Sequence, residues 1–151
     1  MKKTAQDTFC EALALANGTT EATKTTLSDV LDFGSHGDDI LFKLFIVGLC
    51  TTAMASQANK ASTVTIHWQT SAAEAMSNPV NTLLTPTALG DADLTANSFT
   101  LKNLPLPHDL KRYNRLLFTL TPNDPSGTPA FPTTPPAFTV FLTDSREEPL
   151  A

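Results

Sequence analysis

Residues 62–71 alternate cleanly: Val64, Ile66 and Trp68 point one way, while Thr63, Thr65, His67 and Gln69 point the other. A period of two over this length describes a strand with one face buried, because successive side chains of a pleated chain leave opposite faces. Residues 112–121 repeat the pattern, with Tyr113, Arg115, Leu117, Thr119 and Thr121 opposite Leu116, Phe118 and Leu120. Residues 137–143 do so again, Phe138, Val140 and Leu142 against Thr139, Phe141 and Thr143. Residues 98–104 alternate through Phe99 and Leu101 until Pro105 and Pro107 stop the run. Residues 40–50 are apolar on both faces. Leu41, Phe45, Val47 and Leu49 lie on one, and Phe42, Leu44, Ile46 and Cys50 on the other. Such a strand is central in a sandwich or covered on its outer face by a partner.

The remaining segments are weaker. Residues 27–33 read as a strand through Leu27, Val30, Leu31 and Phe33, and the Gly, Ser and Asp of residues 34–39 form a loop. Residues 72–95 hold one irregular strand among loops. Residues 5–16 place Phe9, Leu13 and Ala16 at spacings of four and three before Asn17-Gly18, which suits a short helix or an extended arm. Residues 19–26 read as a threonine-dense linker. Residues 122–136 carry six of the eleven prolines and form a semi-rigid loop or extended arm.

A length of 151 residues fits one domain with a real core. Charged residues make up 17%, below the share of about 25% in an average soluble domain, and threonine fills about one position in six. That residue favours half-buried pleated surfaces. The expectation is an all-β, jelly-roll-like β-sandwich of about seven or eight strands. It divides into an N-terminal arm and linker (1–26), the sandwich (27–143) with its Pro-rich loop, and a mobile C-terminal tail (144–151).

Chemistry is mostly excluded. The net charge of −5 and ten scattered basic residues argue against a grip on nucleic acid. The longest apolar run, residues 40–50, is far short of the roughly 20 residues of a membrane span. Asp7 and Glu11 interrupt any signal-peptide core, so the chain is expected to be made in the cytosol and not secreted. Cys10 and Cys50 lack metal or redox spacing and read as reduced, buried thiols. His36 and His108 sit in loops beside Asp38 and Asp109, which would have to meet in space to hold a metal. His67 lies on the polar face of its strand. There is no GxSxG, Walker or Rossmann pattern, and Gly34-Ser35-His36-Gly37 reads as a loop. The expectation is a non-enzyme with no catalytic residues, metal or cofactor.

Four stretches carry a family likeness: Asp7-Thr8-Phe9; Val30-Leu31-Asp32-Phe33-Gly34; Val64-Thr65-Ile66-His67-Trp68-Gln69-Thr70-Ser71; and Leu104-Pro105 followed by Lys111-Arg112-Tyr113-Asn114-Arg115-Leu116. In this order they resemble the capsid cement, or decoration, proteins of short-tailed bacteriophages, of the type found on a Bordetella podovirus. The resemblance implies a jelly-roll-like protein on the outer surface of the virion. It would bind as a homo-oligomer, a homodimer or trimer, and bridge neighbouring major capsid subunits to stabilise the head. A net-negative protein suits the outer face, away from packaged DNA. The interface candidates are Phe9 and Leu13 in the arm; Phe42, Leu44 and Ile46 on the doubly apolar strand; and the basic cluster Arg112, Tyr113 and Arg115, whose residue types are common at interfaces. The alternative is a sandwich that binds carbohydrate or a host surface, against which stands the scarcity of Trp and Tyr. Trp68, Phe118 and Val140 are expected in the core.

Overall fold

The computed structural model describes residues 8–19, 22–34, 44–123 and 128–143. Nine strands follow in chain order: β1 (Thr8–Ala14), β2 (Lys24–Leu27), β3 (Leu31–Asp32), β4 (Phe45–Thr52), β5 (Thr63–Ser71), β6 (Val80–Leu83), β7 (Ser98–Pro105), β8 (Tyr113–Thr121) and β9 (Ala137–Thr143). No helix occurs among the described residues.

The first sheet has the order β1-β9-β4-β7 and the second β2-β8-β5-β6, with β3 also on β8; every pairing is antiparallel. β1 pairs β9, β2 and β3 pair β8, β4 pairs β7 and β5 pairs β6. The chain is thus one long hairpin of strand pairs, wrapped so that β9 also meets β4 and β8 also meets β5. That double Greek key is a jelly roll, and the sandwich reading holds.

The alternation expected of β5 and β8 decides what lies inside. Val64, Ile66 and Trp68 of β5 and Asn114, Leu116, Phe118 and Leu120 of β8 are fully buried, and their neighbours are half-exposed up to the Trp68 end of β5. Across the sandwich they meet Ile46 and Cys50 of β4, Phe138, Val140 and Leu142 of β9, and Phe9 of β1. Phe9 packs edge-on against Trp68 with ring centroids 5.1 Å apart, and Phe118 stacks on Phe138 at 5.2 Å. Trp68 also keeps a polar tie inside the core: its Nε1 donates to Asn114 Oδ1 at 2.9 Å. The Asn114 Nδ2 donates to the carbonyls of Lys111 at 2.9 Å and Arg112 at 3.3 Å. Gly48 allows β4 and β7 to approach closely, since a Cβ there would lie 3.0 Å from Leu101 Cγ.

Three expectations change, and one open alternative is decided. The segment read as an arm or helix is β1, and residues 24–27 of the expected linker are β2, so the sandwich begins at Thr8 rather than at residue 27. A spacing of four between Phe9 and Leu13 satisfies a strand face as well as a helix face. The edge strand then bulges twice against β9, with Ala12 in the left-handed region at φ 47°. The strand read over residues 27–33 is split by a bulge at residues 28–30. There Ser28 N donates to the Leu116 carbonyl at 3.0 Å, Leu116 N donates to Ser28 Oγ at 2.8 Å, and Asp29 N donates to the Phe9 carbonyl at 3.1 Å, tying the second sheet to the first. Finally, both faces of β4 are covered within the protomer: Phe45 and Val47 on its outer side are 8% and 0% exposed. β4 is the central strand that its two apolar faces describe.

The described part of the Pro-rich segment is pinned to the body. Thr133 N donates to the Ala55 carbonyl at 2.8 Å, Gln57 Nε2 to the Phe131 carbonyl at 2.9 Å and Asn17 Nδ2 to the Pro132 carbonyl at 2.9 Å. It is a strapped loop rather than an arm.

Candidate functional site

Directly opposed residues of an antiparallel sheet point to the same side. On the outer side of the second sheet the register therefore sets the side chains in rows. Thr25, Thr119 and Thr65 form one row across β2, β8 and β5. The next is Leu27, Leu117, His67 and Leu83, which crosses all four strands. The third is Arg115, Gln69 and Asn81, joined by hydrogen bonds: Arg115 Nε donates to Gln69 Oε1 at 2.7 Å, and Gln69 Nε2 donates to Asn81 Oδ1 at 2.9 Å.

The apolar row is open. Leu27 is 46% and Leu83 48% exposed, and with Val30 and Val80 they are the exposed large apolar residues among those described, all on the second sheet or its bulge. His67, in the middle of the row, has its Nδ1 buried without a hydrogen-bond partner. The threonine row and the leucine row hold no Asp, Glu, Lys or Arg. A merely solvated sheet face is polar. A neutral face of threonine and leucine instead has the charge-depleted composition of a protein contact.

The basic cluster sits at one corner of this face. Arg112 forks onto Asp32 of β3, Nε to Oδ1 at 2.8 Å and Nη2 to Oδ2 at 2.9 Å, and its guanidinium carbon lies 5.1 Å from the Tyr113 ring centroid. Asp32 Oδ1 also accepts the Gly34 N–H at 2.7 Å, a turn that uses the left-handed φ of 56° at Gly34. The hydrogen bonds to Asp32, and then its charge, raise the Arg112 pKa, so the guanidinium stays charged throughout the working range.

The remaining interface candidates scatter. Phe9 and Ile46 are fully buried in the intersheet core and give no surface contact, a correction that follows from their inward register. Leu13 and Leu44 are half-buried and pack against the core. Tyr113 and Arg115 are half-buried on the outer face, and Arg112 is exposed. Phe42 lies outside the described residues, as do Ser35, His36, Asp38, Asp39 and the 144–151 tail. The Leu27 to Leu83 row was not singled out as a site: its members come from four strands, and each reads alone as an isolated apolar residue. Only the register assembles them.

No group of three or more His, Cys, Asp and Glu that could hold a metal is found among the described residues. His108 is exposed in the β7–β8 loop. Cys10 and Cys50 are buried and in no disulfide. Burial pushes the Cys50 thiol up, and its Sγ donates to the Thr52 carbonyl at 3.2 Å. Trp68 lies wholly inside and offers no stacking surface for a sugar. No helix among the described residues is long and apolar enough to cross a membrane.

Fold and face together define a jelly-roll β-sandwich whose distinguishing surface is an open sheet face with uncharged threonine and leucine rows. The Bbp16 family model matches residues 14–127, from the end of β1 to beyond β8, and the chain belongs to the Bbp16 family. That family name points to a Bordetella phage protein. No curated protein matches the chain.

Proposed function

We propose that the protein is a capsid cement protein, a structural and not a catalytic component of a phage particle. It binds the outside of the head as a homo-oligomer and bridges neighbouring major capsid subunits, which holds the shell together. The observation that carries this reading is the open Leu27, Leu117, His67 and Leu83 row on a sheet face of low charge. The Bbp16 membership and the net charge of −5, which keeps the protein away from DNA of the same sign, support it.

Strand spacing sets the strength such a contact has. Strands about 4.8 Å apart, rising about 3.3 Å per residue, give this face an area of about 400 Å². A complex buried on it removes about 800 Å² in total, below the roughly 1,000 Å² that a stable specific interface clears. One such contact is weak, and a cement gains its hold from oligomers that engage two or more subunits at once.

The test is co-sedimentation of the purified protein with heads that lack it, scored with a thermal or chaotrope challenge of the heads. Binding and more durable heads are expected. Leu27→Asp with Leu83→Asp should abolish co-sedimentation while the urea midpoint of the free protein stays nearly unchanged, because both side chains are exposed. Failure of the parent protein to bind any head overturns the cement reading. Undiminished binding by the double variant removes this face from it.

A further inference from the structure

We infer that Asn17 is a self-modifying position, where deamidation by the following main-chain nitrogen releases the β1–β2 connection from the Pro-rich loop. Asn17-Gly18 is the single Asn-Gly step in the sequence. It lies in the β1–β2 connection, where Asn17 is exposed. Gly18 N donates to the Asn17 Oδ1 at 3.2 Å, which holds the nitrogen beside the side-chain carbonyl carbon that it would attack. Gly18 has no Cβ to screen that nitrogen.

The chemistry needs only water. The Gly18 amide nitrogen gives its proton to a solvent base and bonds to Asn17 Cγ, while the Cγ–Nδ2 bond breaks and the nitrogen departs as ammonia. Water then opens the five-membered imide at one carbonyl or the other, which leaves an aspartate or an isoaspartate. In sum, amide and water become acid and ammonia.

The leaving nitrogen is the one that works in the fold. Asn17 Nδ2 donates to the Pro132 carbonyl at 2.9 Å, and beside it Leu15 N donates to the Pro136 carbonyl at 3.0 Å. These two bonds fasten the β1–β2 connection to the Pro-rich loop. After deamidation no side-chain donor remains at residue 17, and a carboxylate faces the Pro132 carbonyl, so attraction becomes repulsion. The isoaspartate form also lengthens the main chain by one atom two residues from the Leu15 bond. Other asparagines are differently placed. Asn81 precedes Thr82 in β6 and is held by Gln69, and Asn97 precedes Ser98.

The experiment ages the folded full-length protein at pH 6 and pH 9 and follows each asparagine by peptide mass spectrometry, as a gain of about one dalton with release of ammonia. Conversion at Asn17 is expected to outpace that at Asn81 and Asn97 by about tenfold and to quicken with pH. Gly18→Ala should slow it by about tenfold, through the screen that a methyl group puts on the nitrogen. Hydrogen exchange on the aged protein and on Asn17→Asp should show the Leu15 amide exchanging about tenfold faster than in the fresh protein, as a local hydrogen bond is lost. Asn17 remaining intact while Asn97 converts overturns the inference. So does an Asn17→Asp protein whose Leu15 exchange is unchanged.

Discussion

Replacing Asn114 by Ala tests whether a polar tie fastens the centre of this core. The side chain is fully buried and serves three partners, Trp68 Nε1 at 2.9 Å and the carbonyls of Lys111 and Arg112 at 2.9 and 3.3 Å. Truncation strands the indole N–H without water, which costs about 1–3 kcal/mol, and forfeits about 1 kcal/mol from the carbonyl bonds. The small void adds less than about 1 kcal/mol, for a total of about 3–4 kcal/mol. For a protein of this length that lowers Tm by about 10 °C. At a urea slope of about 2 kcal/mol per molar it moves the midpoint down by nearly 2 M. Trp68 is the single tryptophan, so its fluorescence reports the transition directly. Trp68→Phe, followed by circular dichroism, completes a double-mutant cycle with an expected coupling of about 1–2 kcal/mol. A coupling within about 0.5 kcal/mol of zero would refute the reasoning, because the two side chains would then be acting independently.

Two further outcomes follow from the packing. Gly48→Ala brings a methyl group to 3.0 Å from Leu101 Cγ and should cost about 1–3 kcal/mol by urea denaturation; adding Leu101→Ala, which frees that space, should make the glycine substitution itself nearly neutral. The Cys50 thiol, raised by burial above its ordinary 9.0, should resist a disulfide exchange reagent in the folded protein and react readily in urea. Because the unfolded thiol ionises first, the contribution of Cys50 to stability is complete below about pH 9 and falls as pH rises through the folded value. A stability curve that rises between pH 8 and pH 10 in the parent relative to Cys50→Ala would contradict that sign.

Much of the sandwich is legible wherever one face is wet. β8, and β5 up to Trp68, follow their side-chain alternation because the core selects every second residue, whereas β9 is buried on both faces except at Thr139. β6 is not legible in the same way: all four of its residues are exposed at a sheet edge, so no burial pattern marks them. β1 hides behind a spacing that suits two periodicities, and the break between β2 and β3 depends on Ser28 Oγ accepting the Leu116 N–H from far along the chain. The candidate face has the same difficulty in sharper form. Leu27 and Leu83 meet His67 and Leu117 only through long-range register, while the locally conspicuous Arg112 is committed to Asp32.

The place of β9 between β1 and β4 has a consequence for biosynthesis. A chain leaves the ribosome from its N-terminus, so β1 emerges first of the nine strands and its hydrogen-bond partner last. The nascent polypeptide therefore carries an unpaired first strand, including Phe9, through translation of everything up to Thr143. Closure of the first sheet is necessarily a late event, and the long separation between partners makes it slow. The growing chain is most exposed to misassociation during that wait.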